Sequence, residues 1–331
     1  MKLNIIVVTF ALFIYNISVV TATEINPKLA IQQFKTEMIK KHGFDQDYLD
    51  TIFSRIKLRD SIIKAISRPA EGKPWHQYRA IFLTESRIQG GVDFWNKHEN
   101  TIAAVAEKYG VPAEIMIAIL GVETRYGANT GSYPVLDAIS TLAFLYPKRS
   151  SFFRSELEQF LLLVREEGVD PLSLTGSYAG AMGLPQFMPS SYRHYAVDFD
   201  NDKQRDIWKN PADTLASIAN YFVKHGWQPG QPVAFKITAA EFDPKPFLND
   251  DLQPAVEFKQ LIKAGITTDE SIRPDEHVKL LQYELINGYE YWLGLKNFYV
   301  ITRYNHSQLY AMAVFQLSQE IKNRKQRLKK G

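Results

Sequence analysis

The chain has 331 residues, of which 45% are hydrophobic and 23% are charged, and its net charge is +3. This composition predicts a globular protein with a full hydrophobic core and room for two or three structural units. The absence of cysteine excludes disulfides, a thiolate nucleophile, a cysteine metal site and a lipid-modified cysteine. The small net charge does not indicate nucleic-acid binding, so we expect no nucleic-acid partner.

The first segment has the features of an export signal. Lys2 precedes a long apolar run, and Val20 and Ala22 form the small-residue pattern of a cleavage site. We therefore expect residues 1–22 to be a cleaved signal peptide. The alternative is an uncleaved membrane anchor, which polar residues such as Asn16 within the run disfavour.

Helical patterns extend from there to about residue 226. Residues 23–96 predict a helical N-terminal unit, in which the helix PKLAIQQFKTEMIKKH stops at Gly43. Residues 97–226 predict one helical core, because each segment has helical spacing and ends at a glycine or a proline-containing turn. These segments are TIAAVAEKYG, PAEIMIAILGVE, DAISTLAFLY, FFRSELEQFLLLVREEG and DTLASIANYFVKHG.

The pattern changes after Trp227. The short segments PVAFKIT, AVEFKQLI and VKLLQYEL are rich in β-branched and aromatic residues, which predicts a small β-rich insertion over residues 227–300. Residues 301–331 return to helical spacing and should pack back on the core. The basic tail that starts at Lys322 is interpreted as a solvated, frayed helix end, with contact to an anionic surface as the alternative.

One carboxylate lies at the edge of an apolar helix. Ile115, Ile119 and Val122 recur at helical spacing, and Glu123 follows at the helix end. Partial burial and the negative end of the helix dipole should both raise the pKa of this glutamate, so that it can donate a proton near neutral pH. The alternative is a glutamate paired with Arg125.

A glycine-rich segment, TGSYAGAMGLPQFMPSSY, spans Thr175 to Tyr192. Closely spaced glycines let a backbone approach a ligand, and Ser177 and Gln186 supply neutral hydrogen-bonding groups suited to sugars. The chain contains no GxSxG elbow, phosphate loop or HExxH pair. A tight connection between helices is the alternative interpretation.

An acidic loop follows, with the sequence DFDNDKQRDIWKNPAD over residues 198–213. Alternating carboxylates can converge on one hard cation, and calcium is the natural candidate. Lys203 and Lys209 replace the turn glycine and the last acidic ligand of the usual calcium loop. A solvated loop whose aspartates cap the next helix is the alternative. The candidate ligands here are Asp198, Asp200, Asp202, Asp206 and the main-chain carbonyl of Gln204.

The order of these motifs resembles that of the B-type lytic murein transglycosylases. The resemblance is carried by ETRYG, FLYPKR, the glycine-rich segment, SIANYFVKHGW and RYNHSQLYAMAV, and it extends from about Tyr78 to Phe315. It implies a mainly α (α+β) fold: a lysozyme-like helical core, a helical N-terminal unit and a small β-rich insertion. It also implies an exported, periplasmic enzyme that acts on peptidoglycan glycan strands.

The resemblance further implies roles for single residues. Glu123 corresponds to the one catalytic acid/base, and Asp213 corresponds to the last calcium ligand in place of Lys209. Phe152 stands where the family often has tyrosine, so a hydroxyl contact is not expected there. The residues that correspond to substrate contacts are Tyr78, Lys148, Arg149, Ser177, Met182, Gln186, Tyr221, Tyr304, Asn305 and Tyr310.

The implied reaction needs no second carboxylate and no cofactor, and calcium would be structural. Glu123 protonates the glycosidic oxygen between N-acetylmuramic acid and N-acetylglucosamine, and the C6 hydroxyl of the same sugar then closes a 1,6-anhydro ring. Asp137 is expected to cap a helix. The alternatives are a muramidase that hydrolyses the same bond and a noncatalytic peptidoglycan-binding protein. We expect a monomer, with other cell-wall enzymes as further partners.

Overall fold

A computed structural model describes residues 26–67, 72–238, 242–268 and 270–330. The predicted signal peptide, residues 1–22, lies outside these ranges and stays a prediction. Within them, no helix combines the length and the apolar character needed to span a membrane.

The N-terminal part of the chain is helical, as its sequence predicts. Helix α1 (Pro27–His42) begins after Asn26, whose side chain accepts hydrogen bonds from the first turn, and ends at Gly43. The φ angle of Gly43 is 63°, which places it in the left-handed region that favours glycine and confirms the predicted helix stop. The helices that follow are α2 (Gln46–Ser54), α3 (Asp60–Ile66), α4 (Trp75–Phe82), α5 (Glu85–Lys97) and α6 (Glu99–Tyr109).

The central part is built around α7 (Ala113–Thr124), which is buried along almost its whole length. A helix that is apolar on every side must be enclosed by other elements, and here the surrounding helices enclose it. A short antiparallel pair is formed by β1 (Tyr133–Pro134), which follows α7, and β2 (Thr175–Gly176), which comes after α9. The other helices of the body are α8 (Val135–Leu145), α9 (Ser150–Glu166), α10 (Pro189–Tyr195) and α11 (Pro211–Lys224).

The insertion holds an antiparallel sheet with the strand order β3-β6-β5-β4. Its elements are β3 (Ala234–Lys236), β4 (Val256–Glu257), the short helix α12 (Phe258–Lys263), β5 (His277–Glu284) and β6 (Tyr289–Gly294). The prediction of one strand for AVEFKQLI is wrong beyond Glu257, because Phe258 and Leu261 reach the same buried cluster at helical spacing. Strand β6, which pairs with both β3 and β5, was not predicted.

Two helices complete the chain, α13 (Lys296–Tyr304) and α14 (Gln308–Lys330). Helix α14 packs along α7 and α5 and so returns to the body. The interpretation of its basic end as frayed is wrong as far as Lys325, because Lys322 pairs with Glu114 at 2.8 Å and Lys325 pairs with Glu99 at 3.0 Å.

The prediction that Asp137 caps a helix is also wrong. Helix α8 begins at Val135, so Asp137 lies inside its first turn and is buried. Its carboxylate accepts hydrogen bonds from the backbone N–H of Lys57 at 2.9 Å and from Nη2 of Arg59 at 2.7 Å. Asp137 therefore joins the N-terminal helices to the body.

Candidate active site

Glu123 lies in the last turn of α7, directly before a sharp reversal of the chain. Arg125, Tyr126 and Gly127 all have positive φ angles, of 50°, 59° and 93°. Thr124, which sequence reasoning did not single out, donates from Oγ1 to the carbonyl of Leu184 at 3.0 Å. The helix end that carries Glu123 is therefore fixed directly to the glycine-rich segment.

The environment of Glu123 keeps its carboxyl group protonated up to near neutral pH. Burial raises the pKa of Glu123 to about 7, although a hydrogen bond from Tyr310 opposes the rise. The hydroxyl of Tyr310 donates to Oε1 of Glu123 at 2.6 Å. Among the described residues, the polar partner of this carboxyl group is Tyr310 and not Arg125, which disfavours the ion-pair interpretation. A protonated acid in an apolar setting can act as a proton donor.

Three tyrosines, Tyr221, Tyr304 and Tyr310, lie side by side next to this acid and form what we call the tyrosine wall. Tyr310 is buried, and its ring is parallel to that of Tyr304 with centroids 6.5 Å apart. Tyr304 donates to the carbonyl of Pro185 at 2.7 Å, and its ring lies 4.9 Å from that of Tyr221. Burial and the charge of Glu123 hold the pKa values of Tyr304 and Tyr310 well above the ordinary value. Both hydroxyls therefore remain neutral hydrogen-bond donors.

Two more predicted contacts lie close to this wall. Tyr78 on α4 is buried between Trp75 and Phe82, with ring centroids 6.4 and 5.1 Å from its own. Tyr78 also contributes to raising the pKa of Tyr310, so it lies near that tyrosine. Asn305 follows Tyr304 directly and ends α13. The structure therefore brings residues from α4, α7, α11, α13 and α14 to one place.

The glycine-rich segment is held together by the two polar side chains that were predicted to bind sugars. Ser177 Oγ accepts from the backbone N–H groups of Ala179 at 3.3 Å and Ala181 at 3.1 Å. Gln186 Nε2 donates to the carbonyls of Thr130 at 3.1 Å and Gly183 at 2.9 Å. The hydroxyl hydrogen of Ser177 is not used by the bonds that it accepts, so this side chain can still donate to a ligand.

The glycines of this segment allow protein atoms to pack closely. A Cβ on Gly176 would lie 2.2 Å from the carbonyl oxygen of Ala181, and one on Gly180 would lie 2.3 Å from Ile139. Met182 is fully buried, and its backbone pairs with that of Phe187. Met182 therefore supports the segment from the protein side, whereas sequence reasoning grouped it with the substrate contacts.

Lys148 and Arg149 are exposed, in a turn of 3-10 helix before α9. The Arg149 guanidinium lies over the ring of Phe152, 4.3 Å from its centroid, and 5.4 Å from that of Phe153. This basic pair thus lies on the surface and outside the cluster of tyrosines around Glu123.

The acidic loop brings four carboxylates together, one each from Asp198, Asp200, Asp202 and Asp213. Ligand oxygens of these residues lie within 4.8 Å of one another. Asp213 is buried at the start of α11 and accepts from the backbone N–H groups of Phe199 at 2.8 Å and Asp206 at 2.9 Å. Burial and the charges of Asp200 and Asp198 raise the pKa of Asp213. Four carboxylates that converge around the buried Asp213 offer the oxygen ligands that a hard cation such as calcium prefers.

The other two predicted ligands lie differently. The carboxylate of Asp206 accepts from the backbone N–H groups of Trp208 at 2.8 Å and Lys209 at 2.9 Å, so it caps the following turn and lies outside the cluster. The prediction of Asp206 as a ligand is therefore wrong for this arrangement of the loop. The backbone N–H of Gln204 donates to Asp202 at 2.8 Å, which keeps Gln204 beside the cluster.

Comparisons with known proteins show which family this chain resembles over most of its length. The chain is 44% identical over 300 residues to the membrane-bound lytic murein transglycosylase B of Escherichia coli. The aligned part covers 88% of this chain and 82% of the relative. The soluble lytic transglycosylase SltB1 of Pseudomonas aeruginosa has 51% identity and a TM-score of 0.83, covering 88% of this chain and 97% of that chain. The E. coli lytic transglycosylase Slt35, solved in complex with calcium, has 44% identity and a TM-score of 0.82, covering 89% and 93%.

The profile of the transglycosylase SLT domain matches residues 27–319, which is most of the chain and includes Glu123, the tyrosine wall and the acidic loop. The chain therefore belongs to the transglycosylase SLT domain family.

Proposed function

We propose that this lytic transglycosylase cleaves the β-1,4 bond between N-acetylmuramic acid and N-acetylglucosamine in peptidoglycan and leaves a 1,6-anhydro end. The observation that carries the proposal is the environment of Glu123, whose pKa is raised to about 7 and whose hydrogen-bond partner is a tyrosine. In the described part of the chain, no other acid contributes to that pKa. A single acid without a second carboxylate suits a reaction in which the substrate supplies its own nucleophile.

In the first step, protonated Glu123 donates to the glycosidic oxygen as positive charge develops at the muramic C1. The Tyr310 hydroxyl, 2.6 Å from Oε1, stabilises the carboxylate that results. That carboxylate then takes the proton of the C6 hydroxyl, which attacks C1. Ring closure within one sugar has the entropic advantage of a nucleophile that is already held in place.

The glycan strand is proposed to lie against the tyrosine wall and the glycine-rich segment. Aromatic faces can pack on pyranose rings while amide and hydroxyl groups bond to their substituents. The buried Met182 acts through the segment that it supports. The exposed basic pair is proposed to meet carboxylates of the peptidoglycan. The proposed contacts are Tyr78, Lys148, Arg149, Ser177, Gln186, Tyr221, Tyr304, Asn305 and Tyr310.

The acidic loop is proposed to hold a structural calcium ion. The calcium complex of the E. coli relative supports this assignment. Asp198, Asp200, Asp202 and Asp213 would supply carboxylate oxygens, and Gln204 would supply its main-chain carbonyl. An ion there would neutralise the four clustered carboxylates and brace the start of α11, and the proposed sugar chemistry does not use it.

The test is to incubate purified mature protein, as wild type and as Glu123→Gln, with peptidoglycan and to identify the released ends by mass spectrometry. Anhydro ends from the wild type alone would support the reaction and its acid. Reducing ends would mean that water attacks, as in a muramidase. Binding of both proteins without release, under varied calcium and pH, would favour a noncatalytic binding protein.

A further inference from the structure

Arg87 is a buried cation whose place on its own helix is unfavourable. It lies in the first turn of α5, where the helix dipole is positive, and only 7% of its surface is exposed. Among the described residues, no carboxylate pairs with it. Instead, Nε donates to the carbonyl of Gly121 at 2.8 Å, and Nη1 donates to the carbonyl of Ile81. Two backbone oxygens therefore take the place of a counter-ion.

These two carbonyls belong to the ends of two other helices. Ile81 lies at the end of α4, and Gly121 lies in the last turn of α7. Carbonyls at a helix C-terminus lack partners within the helix and carry partial negative charge, which stabilises a cation there. Helix α7 carries Glu123 two residues beyond Gly121, and α4 carries Tyr78 one turn before Ile81. One guanidinium thus joins the helix that carries the acid to the helix that carries Tyr78.

Tyr126 closes the connection from the other side of Glu123. It lies three residues after the acid, has a φ of 59°, and donates from its hydroxyl to the carbonyl of Arg87 at 2.7 Å. Its side chain packs closely against the backbone of three glycines. A Cβ on Gly90, Gly91 or Gly121 would come within 2.9, 2.8 or 2.5 Å of it. Bonds to α5 therefore hold the chain two residues before and three residues after Glu123.

We propose that Arg87, together with Tyr126, is a positioning residue that holds Glu123 in place against Tyr310. The inference rests on the proposed role of Glu123 as the acid. Arg87 acts through the backbone of α7 and not on the substrate. Two different nitrogens of its planar fork, Nε and Nη1, each bond one of the two carbonyls, an arrangement that the single nitrogen of a lysine does not reproduce.

The test is Arg87→Lys, which keeps the charge and loses the fork. The end of α7 should loosen, so that Glu123 gains water and its pKa falls by about half a unit or more. We expect kcat per folded molecule to drop about tenfold with KM nearly unchanged, because misplacement affects the chemical step. Arg79→Lys is the matched control. Arg79 lies on α4, donates to Gln316 at 2.7 Å, and should change neither quantity.

The pKa of Glu123 is measured directly by 13C NMR titration, and kcat and KM are measured across pH. Tyr126→Phe removes one hydroxyl and should lower the pKa and kcat by smaller amounts in the same direction, which keeps the test decisive if Arg87→Lys does not fold. An unmoved pKa, with activity lost only in proportion to the unfolded fraction, would overturn the inference. Turnover that survives Glu123→Gln would instead overturn the proposed function on which the inference rests.

Discussion

Glu123 and the acidic loop show two opposite ways in which this fold holds carboxyl groups. Glu123 stands alone among aromatic rings, and burial raises its pKa to about 7. Asp213 is also buried, but Asp198, Asp200 and Asp202 converge on it. A lone acid in an apolar setting lowers its free energy by keeping a proton, whereas a cluster of four acids lowers it by binding a cation.

The difference shows that burial alone does not decide the role of an acid. The neighbours decide it. Tyrosines around Glu123 offer hydrogen bonds without charge, so the proton can leave and return during a reaction. The acids of the loop share a negative charge that an ion can neutralise permanently.

The largest effect is expected for Glu123→Gln. The amide keeps the shape of the side chain but cannot donate and retrieve a proton, so kcat should fall roughly 10²- to 10⁴-fold. Turnover of peptidoglycan, measured as anhydro ends released, checks this. Glu107→Gln on the exposed face of α6 is the control and should retain wild-type turnover. Equal loss in both variants would contradict the assignment.

The same substitution should stabilise the protein at high pH. The pKa of Glu123 rises from 4.5 in the unfolded chain to about 7 in the fold, so the folded state binds more protons between these values. The wild type therefore loses stability as pH rises from about 4.5 to 7, by at most about 3 kcal/mol. The amide in Glu123→Gln does not titrate in this range, so the free energy of unfolding of this variant lacks this pH-dependent loss.

Urea unfolding of both proteins at pH 4 and pH 8 measures the difference. The advantage of Glu123→Gln should appear at pH 8 and vanish at pH 4. Glu85→Gln serves as the control of opposite sign, because a hydrogen bond from Arg324 lowers the pKa of Glu85. An advantage of Glu123→Gln that is equal at the two pH values would mean that desolvation of the carboxylate is not its cause.

Calcium should stabilise the protein through the acidic loop and leave the chemistry unchanged. Free calcium at 100 times its Kd should add about 2.7 kcal/mol to the free energy of unfolding. Thermal unfolding with calcium or with a chelator measures this. Asp213→Asn should abolish the response, and Asp206→Asn should keep it, because Asp206 lies outside the cluster. A calcium requirement for turnover by fully folded protein would contradict the structural role.

The smallest expected effect is that of Tyr310→Phe on the pH profile. The Tyr310 hydroxyl lowers the pKa of Glu123, so its loss should raise that pKa by about one unit or less. The acid then stays protonated to a higher pH, and the alkaline fall of kcat/KM shifts to higher pH. Arg87→Lys should shift this alkaline fall to lower pH. Tyr283→Phe, which removes a hydroxyl that donates to the Gln308 carbonyl, should not move it.

Much of the fold could be predicted from local patterns. Apolar residues at helical spacing marked the helices of the body, and Gly43 marked the end of α1 because only glycine adopts its left-handed angle without strain. The acidic loop could be recognised because its carboxylates alternate within a short stretch. The strand-to-helix change at Phe258 could not, since short apolar runs suit both structures.

The candidate site was predictable only in part. Glu123 could be found because an acid at the edge of an apolar stripe is locally unusual. Its contact with Tyr310, 187 positions along the chain, followed from family resemblance and not from any local signal. The partners of Asp137 and Arg87 were not predicted, because a buried charge can be satisfied by groups from any part of the fold.

Local sequence patterns establish the helical character of the body, the place of the acid at a helix end and the acidic composition of the loop, because these properties depend on neighbours a few residues apart. The groups that surround each carboxyl group, and thus its preferred protonation state, follow from the packing of the folded chain. Desolvation and hydrogen bonding depend on contacts between helices that are distant in sequence, so no local pattern predicts them.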